Sequence, residues 1–374
     1  VSLTVDRLQS FADALTPWET VLASDPHATF FSTPAWLQTW WKHKGAGREP
    51  LFLQVRDGDR VVGFGAFVVD AVPVGQAVLF LGSGLSDYAD VLAVEGADRR
   101  SVVFAVLDYL AGGFGQALFD LQEIPETSPS LPFVRQWLSG RQARWAESVQ
   151  DVCPIVALPT VAEAYHKELK KSFLADVRRG ERRLRERGEV LIVDHVRPED
   201  GDWQALKEQM SDLQSQRMRT KGEIPLWRGP LGDFVKDVLA ATDAAGKLRV
   251  TGVYLDGRMI AYELCFLHNR TIYAWSRAFD EEHRNTGPGK IALLHLLETG
   301  IGQGYRTFDL LRGEEPYKDL WTNGQVRNSR VMFVLQPSLG AWVAFKYRTD
   351  WRVRLQRSSL LRRLNRALKS LRGG

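Results

Sequence analysis

The sequence predicts a tandem α/β fold, with two successive domains that are each a mixed, mostly antiparallel central sheet flanked by helices. Three observations carry this. A strand–turn–strand pattern occurs twice, at 51–69 (LFLQVRDGDRVVGFGAFVV) and at 248–267 (LRVTGVYLDGRMIAYELCFL). A later strand closes on the same tripeptide in each half, Phe119-Asp120-Leu121 and then Phe308-Asp309-Leu310. At 374 residues the chain is long enough for two separate cores.

Each element has a local reason. The hairpins turn at Asp57-Gly58 and Asp256-Gly257, where glycine supplies the positive φ of a tight turn and alternating apolar residues flank it. An amphipathic helix follows at about 101–111 in the first half, and a strand at about 117–122. Their counterparts are a helix over 289–302 and a strand over 305–311. Leu158-Pro159-Thr160 reads as a linker. The division is therefore 1–157, 158–340 and a basic tail at 341–374, with the first domain expected to be degenerate and supporting.

Composition narrows the class. With 44% hydrophobic and 25% charged residues the chain is an ordinary globular protein. Two cysteines, Cys153 and Cys265, sit far apart without CxxC spacing, and the seven histidines show no HxxxH pattern, so no metal is expected. Asp6 and Arg7 stand where a signal peptide would be apolar, and no window suits a membrane span, which reads as a cytoplasmic protein.

Charge is uneven. The last 29 residues carry ten Lys/Arg against Asp350 alone, so the net +4 arises in a tail. There, Leu360, Leu361, Leu364, Leu368 and Leu371 share one helical face among arginines, which suits either packing on the protein's own body or contact with an anionic membrane. A second basic run spans Lys167–Arg187. Trp36, Trp40 and Trp41 are expected to pack a first-domain helix, with Trp40 also able to stack on a sugar.

The chemistry-bearing segments lie in the second half. Arg284-Asn285-Thr286-Gly287-Pro288-Gly289-Lys290 leads straight into a helix. Glycines there let backbone approach an anion, and free N–H groups with the helix dipole favour a phosphate. Pro288 has no N–H, so Gly287, Gly289 and Lys290 are the expected donors, with a plain Pro-Gly helix start as the other reading. Beyond it, Arg312, Glu314, Glu315, Tyr317 and Lys318 crowd the carboxyl end of a strand that carries Asp309 among apolar residues.

These residues resemble a known family. Arg284-x-x-Gly287-x-Gly289 is similar to the pyrophosphate loop of the GNAT acyltransferases. The run from Asp309 through Gly313, Tyr317 and Lys318 to Trp321 resembles the signature of a tandem-domain, CelD-like branch of exopolysaccharide or cellulose biosynthesis, related in architecture to the Fem aminoacyl transferases. Phe30–Trp36 and the basic run Lys170–Leu184 are also similar to that branch, and the likeness spans about residues 25–335.

The resemblance implies tandem GNAT-like domains and transfer of an acyl group from acetyl-CoA or another acyl-CoA, used as co-substrate, to an amine. Arg284, Gly287, Gly289 and Lys290 would bind the donor, in a second half whose fourth and fifth strands splay. Glu263, on an apolar strand face with Ala261, Cys265 and Leu267, is the first candidate base, and Asp309 the second. A structural pairing of Glu263 with an arginine is the alternative. Tyr317 would protonate the leaving thiolate, and Lys318 would hold a substrate anion or polarise a carbonyl. The acceptor would be a small molecule or glycan precursor. Two other readings remain: a Fem-like transferase drawing on aminoacyl-tRNA, with 167–187 meeting RNA phosphates, and a non-catalytic scaffold held by the tail at the inner face of the membrane.

Overall fold

The computed structural model describes residues 3–72, 75–141, 143–195, 200–221, 227, 229–313, 315–336 and 338–348. The tail beyond 348, with its leucine face, lies outside the described residues. The first half runs β1 (Thr4–Leu8), α1 (Phe11–Ser24), α2 (Pro34–Lys44), β2 (Glu49–Asp57), β3 (Arg60–Val72), β4 (Gly75–Phe80), β5 (Leu92–Ala93), α3 (Arg99–Phe114), β6 (Leu118–Pro125), α4 (Leu131–Ser139) and β7 (Arg144–Ala157). The second runs α5 (Ala162–Glu168), α6 (Lys171–Arg185), β8 (Val190–His195), α7 (Asp200–Lys221), α8 (Gly229–Ala244), β9 (Leu248–Leu255), β10 (Arg258–His268), β11 (Thr271–Phe279), α9 (Pro288–Gly302), β12 (Thr307–Asp309), β13 (Gly324–Val334) and α10 (Leu339–Lys346). This is a mixed α/β protein with helices on its sheet.

Local chemistry sets the element ends. Ser10 caps α1 by accepting from the Asp13 N–H, and Thr33 caps α2 ahead of Pro34. Gly58 turns the β2–β3 hairpin at φ 58°, and Asp256 with Gly257 turns β9–β10 at 49° and 79°. β12 is shorter than the strand expected at 305–311. Asp309 Oδ1 accepts the Leu311 N–H at 2.8 Å, and Leu311 turns to φ 57°, which ends the ladder.

The duplication is fuller than its hairpins suggest. In both halves an edge strand (β1, β8) precedes two helices (α1 and α2, α7 and α8), a hairpin, a further strand, a helix and a last strand that pairs in parallel with the one before the helix. The halves are also interleaved. The sheet order is β1-β2-β3-β4-β6-β13-β7-β12-β11-β10-β9-β8, with β5 on β3, so β13 enters between β6 and β7, and β7 reaches β12.

Burial follows this arrangement. Along β10 and β11, Tyr262, Leu264, Phe266 and Tyr273 join a core shared with the first half, where Trp36 meets Phe234, Phe266 and Trp275 edge-on at 5.4–6.1 Å. Ala261, Cys265 and Ile272 turn instead to a second core with α5, α6 and α9. Trp40 is 1% exposed inside the first core, so the expectation that it could stack on a sugar is corrected.

Candidate active site

The site grows from the parting of two strands. β11 and β12 pair only through Thr271–Tyr273 and Thr307–Asp309, and beyond Tyr273 and Asp309 they diverge. On its other edge β11 slips one residue against β10, leaving Trp275 without a partner as a bulge. The wedge so opened holds a cavity of about 340 Å³, walled by Glu263, Arg277, Tyr317 and Lys318 from the second half and by Trp36 and Asp87 from the first.

Arg277 organises one wall. Its guanidinium lies 2.9 Å from Glu263 Oε1, donates to the Gly289 carbonyl at 3.1 Å and sits 4.2 Å over the Tyr317 ring. Glu263 is 1% exposed. The ion pair directs its carboxylate at the Arg277 guanidinium, which is the pairing that the alternative reading of Glu263 expects. Burial pushes the Tyr317 hydroxyl up, against the pull of Arg277. A phenol held protonated beside a cation is equipped to give up a proton only as negative charge forms next to it.

Lys318 is placed differently from expectation. Its ammonium donates to the carbonyls of Leu311, Arg312 and Gly313 at 3.1, 3.0 and 3.3 Å and pairs with Glu315 at 2.9 Å, while the residue is 3% exposed. An ammonium has three protons, and these acceptors use them. The role of substrate anchor is therefore corrected to that of a clasp on the 311–315 loop. Gly313 belongs to the clasp: at φ 123° a Cβ there would lie 2.5 Å from Glu315 Oε2.

Asp309 stands where the strands part. Tyr88 of the first half donates to its Oδ2 at 2.7 Å. Burial raises the Asp309 carboxyl to about 7, with the Tyr88 and Leu311 hydrogen bonds pulling the other way. Two neighbours behave alike. Burial lifts Asp87 to about 6 against its ion pair with Arg312, and Glu123 to about 7 against the Gly84 N–H. Carboxyls that titrate near neutrality can accept a proton and release it again.

The glycine loop borders the wedge through Arg277. The Gly287 N–H bonds back to the Arg284 carbonyl at 3.1 Å, and the Lys290 N–H to that of Gly287 at 2.9 Å. Of the three expected backbone donors, Gly289 is therefore the one left for an anion. Gly289 is also tight, since a Cβ there would lie 3.2 Å from Arg277 Nη2. Gly180 of α6 lets the loop pack close, because a Cβ there would meet the Thr286 carbonyl at 2.2 Å. Arg284 is solvent-facing, 3.3 Å from Glu281. Asp280, Glu282 and His283 bring ligand atoms within 4.8 Å of one another beside the loop, but Asp280 already accepts from Arg258 and the Glu282 N–H.

The structure thus gathers Glu263, Tyr317 and Lys318 on one cavity, sets Asp309 behind that cavity's wall at Leu310 and leaves Arg284 outside. Sequence reasoning missed Arg277, Asp87 and Tyr88. An arginine on the strand that follows an apolar-flanked glutamate was the available signal for Arg277. The first-half residues carried none.

Comparison with known proteins agrees with this geometry. Residues 171–319 match the family model described as an acetyltransferase (GNAT) domain. That match gives the second half an acetyltransferase domain and makes the chain an acyltransferase. No curated protein matches the chain. Among solved structures, FemX is similar at a TM-score of 0.65 with 11% identity, over 88% of this chain and 98% of that one. A protein of unknown function from Bacteroides thetaiotaomicron reaches 0.56 with 11% identity, over 88% and 100%. A C-terminal DUF2156 domain from Agrobacterium fabrum reaches 0.53 with 15% identity, over 90% and 95%. These likenesses show a shared fold. No helix among the described residues is long and apolar enough to cross a membrane.

Proposed function

We propose that the protein moves an acyl group, acetyl in the simplest case, from acyl-CoA to an amine, with the second half performing the chemistry and the first walling the acceptor side. The observation that carries this is the wedge between β11 and β12, which opens beside the start of α9 and has the titratable Asp309 carboxyl directly behind its wall at Leu310. Such a wedge lets a thioester arm lie along the freed edge of β11, where a backbone N–H would bind the developing oxyanion. Gly289, with Arg284 and Lys290 flanking, would receive the donor's phosphates.

In this scheme the amine nitrogen attacks the thioester carbonyl and a C–N bond forms. The ammonium proton passes to Asp309, directly or through Tyr88. The C–S bond then breaks, and Tyr317 donates its proton to the departing thiolate. Arg277 would steady the Tyr317 phenolate so formed, since the guanidinium already lies over that ring. The sequence motifs favour a CelD-like placement, with a sugar or envelope-polysaccharide precursor as acceptor and work at the inner face of the membrane.

Calorimetric titration with acetyl-CoA tests the donor. One site of micromolar affinity is expected, weakened about tenfold or more by Gly289→Glu and several-fold by Arg284→Ala. Failure of the wild type to bind acetyl-CoA or longer acyl-CoAs would overturn the reading. The face of α6 that carries Arg178, Arg179, Arg182 and Arg185 would then favour an aminoacyl-tRNA donor.

A further inference from the structure

Two cavities lie back to back where β11 and β12 part. The wedge is one. The second, of about 330 Å³, is bounded by both halves of the chain. Three pairs of consecutive residues divide them: Asp87, Ala274 and Leu310 line the wedge, whereas Tyr88, Tyr273 and Asp309 line the second cavity.

The second cavity has its own chemistry. Eight of its fifteen lining residues carry hydroxyls, two are the aspartates Asp90 and Asp309, and none is lysine or arginine. Thr29 Oγ1 is buried there without a hydrogen-bond partner. A desolvated hydroxyl is costly when nothing satisfies it, and a turn of the Thr29 side chain toward a ligand in this cavity would supply the missing bond. The volume falls at the small end of small-molecule sites, which run from roughly 300 to 1,000 Å³. That suits a single ring and excludes a nucleotide. A rim of hydroxyls matches a polyol, two tyrosine rings offer it apolar faces, and two carboxyls in a lining that holds no lysine or arginine, with His27 as its one imidazole, match a positive group.

We propose that this cavity binds an amino monosaccharide, with the ring hydroxyls on the Thr29–Ser32 side and the amine against Asp309. This names the acceptor class of the proposed acyl transfer and rests on that reading for the fate of the amine. The cavity and its lining do not depend on it. A ring held there would present its nitrogen at the wall shared with the wedge.

The test is titration of glucosamine at pH 7.5, followed by calorimetry and by NMR, with glucose as the second arm. Saturable one-to-one binding is expected, about fivefold or more tighter than for glucose. Thr29→Val and Ser32→Ala should each weaken it about fivefold, the worth of one hydrogen bond, while Tm and acetyl-CoA affinity stay at the wild-type level. No saturable binding, equal affinity for both sugars, or variants that bind like wild type would overturn the proposal. Acetyl-CoA is titrated on the same preparation. If it binds and glucosamine does not, the cavity assignment fails alone; if glucosamine binds and it does not, the acyl-CoA reading fails alone.

Discussion

In the first half, Asp120 follows Phe119 beside the β4–β6 pairing and accepts two bonds of 2.6 Å from Arg330, with Arg348 also against it. In the second, Asp309 follows Phe308 beside the β11–β12 pairing and accepts from the Tyr88 hydroxyl and the Leu311 N–H. Among the described residues no guanidinium pairs with Asp309. The surroundings differ as well. In the first half Leu81, Ala89 and Leu92 fold in beyond the end of β4, around a void of only about 20 Å³, whereas the second half keeps its wedge open. One duplicated strand end has become a neutralised structural acid, and the other a buried carboxyl that titrates near pH 7. The difference lies in which counter-ions the fold supplies.

Exchanging the two aspartates should break this comparison most sharply. Asp309→Asn is expected to lower acyl transfer by roughly 10²–10⁴, the usual worth of a positioned base. It should also remove the rise of activity with pH near 7, read from a pH–rate profile. Asp120→Asn should leave the rate per folded molecule near wild type and instead cost about 1–3 kcal/mol in urea unfolding, because it takes the buried carboxylate from two half-buried arginines.

Tyr317→Phe is expected to reduce kcat by about 10² with little change in donor affinity, if the phenol serves the leaving thiolate. Steady-state kinetics beside a donor titration separates the two effects. A smaller effect belongs to Lys318→Met. It leaves the loop carbonyls of Leu311, Arg312 and Gly313 without their donor and should lower stability by about 1–3 kcal/mol, without the selective loss of kcat seen for Tyr317.

The pH dependence of stability sharpens the same contrast. Asp309, Glu123 and Asp87 are all raised by burial. Between pH ~4, where unfolded carboxyls lose their protons, and pH ~7 the folded chain binds more protons than the unfolded chain. Stability from these groups is therefore full below pH ~4, falls as pH rises through 6–7, and is flat above. Thermal unfolding from pH 4 to pH 8 should show that fall, and Asp309→Asn should make it shallower by the share of that one group.

Much of this was legible in the residues. The Asp-Gly turns, the repeated Phe-Asp-Leu and the glycine loop before α9 are local signals, and each stands where its spacing puts it. The edge strands β1 and β8 and the entry of β13 between β6 and β7 were not legible, because register across a sheet is set by distant partners. The site divides the same way. Asp309 and Tyr317 announce themselves by position after a strand, while Tyr88 meets Asp309 across 221 residues of sequence. Lys318 stood at the right place for a ligand group, but only its carbonyl partners reveal a clasp.

The central claim is that the donor occupies the second half's wedge and not its closed counterpart. Hydrogen–deuterium exchange with and without saturating acetyl-CoA tests this most directly. Slowed exchange confined to 274–279 and 288–292 is the predicted result. Protection of 75–80 and 99–103, with β11 and α9 unchanged, would contradict it.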